Sequence, residues 1–191
     1  MTQQFVDTRE FLSQTKFYEG YSRFMESENR YESWDEAVDR VIDMHEKNYI
    51  NNNNTLQPFL EEARKAYKEQ RVLGAQRALQ FGGDQLMKHQ MRMYNCTSSY
   101  ADRPSFFGEF FYILLCGAGA GFSVQKHHVK KLPKVQIRTK QAKGWVVEDS
   151  IEGWADALDV LMASYFVNGG KHPDYAGRRV FFDLTQVRPK G

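Results

Sequence analysis

The chain has 191 residues, enough for one sizeable core and a helical appendage but not for several full domains. Its 26 basic and 24 acidic residues give a net charge of +2, without the basic excess that drives unspecific nucleic-acid binding. Cys96 and Cys116 belong to no CxxC pair or Cys/His cluster, which argues against a disulfide scaffold and a zinc site.

The sequence also gives no signal for a membrane partner. The opening MTQQFVDTRE lacks the apolar segment of a signal peptide, and the longest apolar run, residues 110–116, is too short to span a bilayer. We therefore expect a soluble cytoplasmic protein.

The first clear element is an amphipathic helix from Trp34 to about Glu46, opened by a capping box of Ser33 and Glu36. An asparagine run, residues 51–54, predicts an exposed loop. Asn54 or Thr55 is expected to cap a second helix. One face of that helix is apolar: Leu56, Phe59, Leu60, Ala63 and Tyr67.

Residues 71–95 are less periodic and are broken by glycines, so we expect short elements joined by turns. Ser105 opens a helix so rich in phenylalanine and leucine that burial on all sides is predicted. Cys116 falls in the middle of this apolar pattern, where desolvation opposes thiolate formation, so we expect it to serve packing.

Strands and helices alternate in the remaining sequence. After GFSVQ comes a basic connector, then predicted strands at residues 135–139 and 145–147. Asp149 and Glu152 are expected to cap a regular helix that ends near Tyr165. The apolar face predicted for this helix is Ile151, Trp154, Ala155, Leu158, Leu161, Met162 and Tyr165.

A glycine turn at residues 169–170 leads to a last predicted strand, RRVFFDLTQV. These patterns predict an α/β fold with a helical region over residues 1–75 and βα units over residues 76–191. A strand so close to the last residue leaves an open sheet edge, which favours association with another polypeptide.

Five segments resemble, in order and approximate spacing, the opening portion of the ribonucleotide reductase catalytic chain. They are RALQFGG (77–83), YNCTSSYADRPSFF (94–107), ILLCGAGAGFSV (113–124), VVEDSIEGWADAL (146–158) and VRPKG (187–191). The likeness is greatest to the adenosylcobalamin-dependent class II type and its small phage-type relatives. It implies the first part of a ten-stranded α/β barrel, incomplete at the C-terminus.

The resemblance implies that Cys96 is one of two thiols that reduce the substrate at the ribose 2′ position and become a disulfide. A lone cysteine is otherwise most often a small buried hydrophobe. The substrate nucleotide pocket implied by the family includes Asn95, Ala118 and Gly119, and Ala78 lies where the family contacts the substrate diphosphate.

From the residues alone, the glycine-alternating turn at 117–121 is equally a tight helix-to-strand connection that needs positive φ. It lacks the strand, GxGxxG and helix order of a dinucleotide fold.

Asp102 corresponds to the family's specificity-effector site, where a carboxylate accepts a hydrogen bond from the deoxyribose hydroxyl of a dNTP. It is otherwise a simple turn acid before Pro104. Lys126, His128 and the neighbouring basic residues His127, Lys130 and Lys131 could hold the effector triphosphate or form a solvated connector. A His127–His128 pair on a strand would point to opposite faces and make a poor metal site, and no metal ligand is predicted.

The family's thiyl-radical cysteine, its second reducible cysteine and its AsnxCysxGlu loop have no counterpart in the sequence. We therefore expect the fragment alone to be inactive and to need the C-terminal remainder of the catalytic chain. The implied radical source is adenosylcobalamin for class II, or otherwise a separate dimetal subunit. The implied partners are a ribonucleotide substrate, a dNTP effector and a thioredoxin-like or glutaredoxin-like reductant.

A homodimer is also compatible with the resemblance, and the helix at residues 150–165 serves either a subunit interface or the core. Two alternatives stay open. One is a non-catalytic regulatory module that binds dNTP, and the other is an unrelated domain whose cysteine and glycines are structural.

Overall fold

The computed structural model describes residues 8–49 and 54–189 of the chain. They form two compact units, divided between Met93 and Tyr94, and each unit is described by itself. The predicted division after residue 75 concerns where the barrel begins, and it stays a prediction. Among the described residues, no helix combines the length and the apolar character needed to cross a membrane.

The first unit is mainly helical. It also contains a short antiparallel hairpin, with two residues in each strand, that the sequence did not indicate. Short 3-10 turns precede α3 and follow α5. The elements are α1 (Thr8–Gly20), β1 (Phe24–Met25), β2 (Arg30–Tyr31), α2 (Trp34–Tyr49), α3 (Gln57–Lys68), α4 (Gln76–Phe81) and α5 (Asp84–Lys88). The expectation of short elements joined by turns over residues 71–95 is confirmed.

The predicted capping box of α2 is present. The Ser33 N–H donates to Glu36 Oε2 at 2.7 Å, and the Glu36 N–H donates to Ser33 Oγ at 3.4 Å. These two bonds satisfy backbone donors that lie outside the helical ladder, and the helix continues past Glu46 to Tyr49.

The predicted cap of α3 is wrong. Leu56 occupies the N-cap position without a side-chain hydrogen bond, because a 3-10 turn over Asn54–Leu56 precedes the helix. Phe59 is 68% exposed, so the predicted apolar face is buried only in its later part, around Tyr67. Residues 51–53 of the predicted asparagine loop lie outside the described residues.

The second unit contains two parallel strand–helix–strand pairs. The first consists of β3 (Cys96–Tyr100), α6 (Phe106–Leu115) and β4 (Gly119–Ser123). The second consists of β5 (Lys140–Val146), α8 (Ile151–Tyr165) and β6 (Arg178–Asp183), with the short helix α7 (Lys126–Val129) between the two pairs. Parallel strands need such a crossover, so the predicted α/β class is confirmed. The described strands form two-stranded sheets, and the ten-stranded barrel stays an expectation.

The prediction that the phenylalanine-rich helix is buried on all sides is wrong. One side of α6 packs against α8 and β4, but Leu114 and Leu115 are 42% and 37% exposed because no described residue covers them. Cys116 is buried as expected, although it is the C-cap residue of α6 and not a mid-helix residue.

The strand predicted at residues 135–139 is reduced to an isolated bridge between Val135 and Phe166. The Gln136 N–H donates to the Tyr165 carbonyl at 2.8 Å, which ties the segment to the end of α8 instead of to a sheet. The histidine pair, predicted on a strand, lies in the helical turn α7. The argument that strand geometry separates His127 from His128 is therefore wrong, and their ring centroids are 3.9 Å apart.

Asp149 does not cap α8 as predicted, because Ser150 is the N-cap residue and its Oγ accepts the Gly153 N–H at 2.9 Å. The buried side of α8 also differs from the prediction, since small residues allow close packing there. Its buried members are Gly153, Ala155, Ala157, Asp159, Val160, Ala163 and Ser164. The predicted glycine turn is confirmed, with φ of +70° at Gly169 and +50° at Gly170.

Candidate active site

The parallel pair of β3 and β4 has one open face. Side chains alternate along a strand, and the face that carries Phe122 packs its ring against the rings of Phe106 and Phe110 of α6. The opposite face therefore points away from α6. It carries Cys96 and Ser98 on β3 and their register partners, Gly119 and Gly121, on β4.

Cys96 and Gly119 are paired at the amino ends of the two strands. A Cβ on Gly119 would lie 3.4 Å from Cys96 Sγ, and the Gly119 N–H donates to the Asn95 carbonyl at 2.7 Å. Cys96 is exposed. The absence of side chains at residues 119 and 121 leaves the thiol beside bare backbone, which a flat ligand can approach closely.

The glycine-rich turn is a tight helix-to-strand connection, as one of its two interpretations predicted, and its use in substrate binding stays a prediction. Gly117 has φ of +84° and its N–H donates to the Leu114 carbonyl, so it ends α6 as a tight connection. Ala118 is 3% exposed, and its N–H donates to the Ile113 carbonyl at 3.3 Å. The Ala118 side chain therefore packs inside the unit, and Gly119 is the residue of the turn that borders the thiol.

The structure brings Asn95, Cys96, Ala118 and Gly119 together around the start of β3 and β4. Ala78 lies in α4 of the first unit, where it is buried at 3% exposure. A contact of Ala78 with a substrate phosphate stays a prediction.

A second group of predicted residues lies at the carboxyl ends of β3 and β4. Asp102 Oδ1 accepts from Arg103 Nη1 at 2.9 Å, and Lys131 Nζ lies 3.4 Å from Asp102 Oδ2. Hydrogen bonds from Arg103 and then Lys131 hold the pKa of Asp102 below its ordinary value, so it is a carboxylate at neutral pH. Arg103 also pairs with Glu109, which fixes the guanidinium beside the start of α6.

His128 joins this second group. Its Nδ1 lies 3.0 Å from Ser123 Oγ, and its ring centroid lies 4.4 Å from that of Tyr100. Desolvation and the neighbouring His127 lower the pKa of His128. Lys126 begins α7 on the exposed side of the same turn. The cluster combines cations, a carboxylate and an aromatic ring, which suits a ligand that carries phosphate and a sugar hydroxyl.

The two groups lie at opposite ends of one strand pair. Cys96 and Tyr100 are the first and last residues of β3, a separation of roughly 13 Å at about 3.3 Å per residue. β3 and β4 are thus a short rigid link between the thiol and the cluster around Asp102.

Sequence reasoning missed two polar arrangements in this unit. Arg103 and Tyr100 complete the cluster around Asp102, but no local spacing rule singles them out. Asp159 is a carboxylate at 4% exposure that accepts the Gly108 N–H at 2.8 Å and the Lys171 ammonium at 3.1 Å. An aspartate inside the apolar helix pattern of residues 151–165 was the available signal for a buried partner.

The described residues contain no group of three or more His, Cys, Asp or Glu side chains that could hold a metal ion. The candidate groups of this unit are the exposed Cys96 thiol at one end of β3 and the ion-paired Asp102 carboxylate near the other, and their functions stay predictions.

Comparison with known proteins confirms the resemblance seen in the sequence. No protein-family model matches the chain. A protein of Mycobacterium phage D29, provisionally named an adenosylcobalamin-dependent ribonucleoside-triphosphate reductase, is 27% identical over 201 residues, which cover 90% of this chain and 28% of that protein. A crystal structure of a B12-dependent class II ribonucleotide reductase matches with a TM-score of 0.76 and 21% identity, over 92% of this chain and 32% of that one.

The structural likeness shows a shared fold. In both cases, the matched region is less than a third of the larger protein. The chain is therefore similar to one part of a ribonucleotide reductase catalytic chain, as the sequence motifs indicated.

Proposed function

We propose that the chain is the N-terminal portion of a ribonucleotide reductase catalytic subunit. The observation that carries the proposal is the pairing of an exposed thiol, Cys96, with the bare backbone of Gly119 on the open face of β3 and β4. Similarity in sequence to the phage protein and in fold to the class II structure supports it.

The proposed reaction replaces the ribose 2′-hydroxyl with hydrogen. A thiyl radical elsewhere in the complete enzyme removes the 3′ hydrogen atom, and the 2′-hydroxyl leaves as water. Cys96 and a second cysteine outside this chain then supply two electrons and two protons, and their sulfurs join in a disulfide. The 3′ hydrogen returns from the radical cysteine, so the net products are a deoxyribonucleotide, water and a disulfide.

The residues around Cys96 are proposed to position the nucleotide. With no side chain on Gly119 or Gly121, the sugar can lie against the backbone within reach of the thiol. Asn95 precedes the thiol in the chain and lies at the same edge of the open face. Ala118 is proposed to act through its backbone, because its side chain is buried.

The cluster around Asp102 is proposed to bind a dNTP effector. The Asp102 carboxylate is suited to accept a hydrogen bond from the deoxyribose hydroxyl. Lys126 and Lys131 offset phosphate charge, and the His128 ring, whose pKa is lowered, is proposed to contribute a hydrogen bond. This cluster is assembled from residues of this chain alone. That observation also supports the second candidate function, a non-catalytic module that binds dNTP.

The radical source of the complete enzyme is proposed to be adenosylcobalamin, in keeping with the names of the two similar proteins. A separate dimetal subunit is the alternative. When bound, the cofactor would supply the initial radical. The described residues offer no donor set that fits a metal centre, so we assign neither cofactor to residues of this chain.

Further partners follow from the same proposal. The C-terminal remainder would supply the radical cysteine and the second reducible cysteine, and a thioredoxin-like or glutaredoxin-like protein would regenerate the thiols. A homodimer and a cytoplasmic location stay predictions.

Reconstitution tests the proposal. The chain is completed with the C-terminal remainder of a catalytic subunit, joined or co-expressed, and supplied with adenosylcobalamin, a dithiol and ribonucleoside triphosphates. We expect deoxyribonucleotide formation by the completed enzyme and none by either part alone. If the chain binds dNTP with micromolar affinity but no completed form makes product, the regulatory module is favoured instead.

A further inference from the structure

A basic cleft lies in the second unit, between the end of α8, the segment of residues 135–138 and the start of β6. Its volume is about 480 Å³. The lining contains two arginines and no carboxylate, and none of its residues belongs to the proposed substrate or effector positions. The lining residues are Val135, Gln136, Ile137, Arg138, Tyr165 and Arg179.

Hydrogen bonds hold one wall of the cleft in place. The Gln136 N–H donates to the Tyr165 carbonyl at 2.8 Å, and Gln136 Nε2 donates to the Phe166 carbonyl at 2.8 Å. The Val167 N–H donates to the Lys134 carbonyl at 3.0 Å. The segment is therefore tied to the end of α8 by three hydrogen bonds, which fix this wall.

The side chain of Arg138 is directed by a ring and not by a carboxylate. Its guanidinium carbon lies 4.1 Å from the centre of the Tyr165 ring. The side chain forms no hydrogen bond or ion pair with the other described residues. A guanidinium carries more N–H donors than one ring face can engage, so donors remain for a ligand. Arg138 lines the cleft and is only half-buried, so a ligand can reach it.

The positive charge of the cleft is not balanced by a neighbouring acid. Arg179, the second residue of β6, is exposed, and its side chain forms no hydrogen bond or ion pair with the other described residues. Asp174, in the turn before β6, pairs with Lys143 at 3.4 Å and is not part of the lining. An anion can therefore bind both arginines without displacing an ion pair among the described residues.

Apolar surface flanks the two arginines. Val135 and Ile137 belong to the same lining and are 72% and 85% exposed. Inorganic phosphate would leave this surface in water, whereas the sugar or base of a nucleotide can cover it. The lining thus favours a phosphate group that is attached to a larger organic molecule.

We propose that this cleft binds a phosphate group, free or as part of a nucleotide. Arg138 and Arg179 donate charge-assisted hydrogen bonds to the phosphate oxygens. Arginine suits this role because its planar fork of N–H groups matches the geometry of phosphate and stays charged at neutral pH. The proposal depends on the charge and packing of the cleft and not on the chain being a reductase.

The test follows backbone amide signals of the full ¹⁵N-labelled chain. Ile137 and Arg179 report on the cleft, whereas Ser123 and Lys131 report on the cluster around Asp102. Inorganic phosphate and a ribonucleoside triphosphate are titrated separately at constant ionic strength, with sodium chloride as the salt control. We expect saturable shifts at Ile137 and Arg179, with tighter binding of the triphosphate than of phosphate, and no shifts with chloride.

Matched variants make the result specific. Arg138→Gln and Arg179→Gln each remove one cation, and each should raise the dissociation constant about tenfold. Arg179 is exposed, so its replacement tests the site even where loss of the contact between Arg138 and Tyr165 disturbs the fold. Arg71→Gln removes an exposed arginine of the first unit, which pairs with Glu69, and should bind like the wild type.

The outcomes separate the possible sources of the phosphate group. Tighter binding of the triphosphate identifies a nucleotide, and equal affinities identify free phosphate. No saturable shift at Ile137 and Arg179, or the same dissociation constant in Arg179→Gln as in the wild type, overturns the proposal and leaves the cleft as a solvated basic surface. Shifts confined to Ser123 and Lys131 would overturn it as well, while supporting the proposed effector site.

Discussion

Gly119 is the register partner of Cys96 across the parallel strands β3 and β4, and a Cβ on Gly119 would lie 3.4 Å from Cys96 Sγ. The thiol therefore borders a strip of backbone that any larger residue at position 119 would cover. Because Gly119 lies in a strand and does not have positive φ, a side chain can be added there without backbone strain.

Gly119→Val should shield Cys96 without unfolding the chain, since a β-branched residue suits a strand. In the wild type, an aromatic disulfide reagent should modify the exposed Cys96 rapidly and the buried Cys116 slowly. We expect the valine variant to slow the rapid phase several-fold. Gly144→Val, in β5 and with no atom within 4 Å of the added Cβ, is the control and should leave that phase unchanged. Equal rapid rates in Gly119→Val and the wild type would contradict this geometry.

Gly108→Ala should destabilise the second unit, against the usual preference for alanine in helices. A Cβ on Gly108 would overlap the carboxylate of Asp159, which is buried and accepts the Gly108 N–H. We expect a loss of about 1–3 kcal/mol in the free energy of unfolding, measured by urea denaturation. Gly144→Ala, which meets no neighbouring atom, should change it far less. A Gly108→Ala protein as stable as the wild type would show that α6 and α8 pack less closely than described.

Asp102→Ala should weaken effector binding, because it removes the carboxylate proposed to accept the deoxyribose hydroxyl. Isothermal titration of the chain with dNTP measures this directly, and we expect the dissociation constant to rise about tenfold. Glu62→Ala removes an exposed acid of α3 and should have no effect. Wild-type titrations in the Asp102 variant would refute the effector assignment while leaving the role of Cys96 open.

The ion pairs between α2 and α3 predict a small acid sensitivity in the first unit. Desolvation raises the pKa of Asp39, but hydrogen bonds from Lys68 and Arg64 outweigh it, so the folded pKa lies below the ordinary value. This stabilisation is present above about pH 4 and is lost as the pH falls through the folded pKa. It should be less than about 1 kcal/mol, because Asp39 is partly exposed.

Asp39→Asn checks the sign of this effect. The difference in the free energy of unfolding between wild type and variant is measured by far-UV circular dichroism in urea. It should be positive at pH 6, where Asp39 is charged. It should shrink below about pH 4, the ordinary pKa of an aspartate, as the carboxylate becomes protonated. Glu62→Gln serves as the control, with a difference near zero throughout. A difference that grows on acidification would contradict the described ion pairs.

Local signals in the sequence predicted the elements whose causes are themselves local. The Ser33–Glu36 capping box and the Gly169–Gly170 turn each depend on residues a few positions apart, and both are confirmed. Residues 135–139 look like a strand because they alternate. Their pairing with the end of α8 depends on hydrogen bonds from Gln136 to Tyr165 and Phe166, which no local pattern reveals.

The candidate site shows the same division. The register of Cys96 with Gly119 and the ion pair of Asp102 with Lys131 join residues far apart in sequence, and only the family resemblance indicated their shared surroundings. The buried ring nitrogens Trp145 Nε1 and His172 Nε2, which have no hydrogen-bond partner among the described residues, were not predicted either, because burial of a polar atom depends on tertiary packing.

The most direct test of the central claim is turnover by the completed enzyme that carries Cys96→Ser. Deoxyribonucleotide formation is measured over many cycles with a dithiol reductant, beside Cys116→Ala as the control for loss of the buried cysteine. The account predicts that Cys96→Ser abolishes multiple turnover while substrate and effector affinities stay near the wild-type values, and that Cys116→Ala remains active. Undiminished turnover in Cys96→Ser would contradict it.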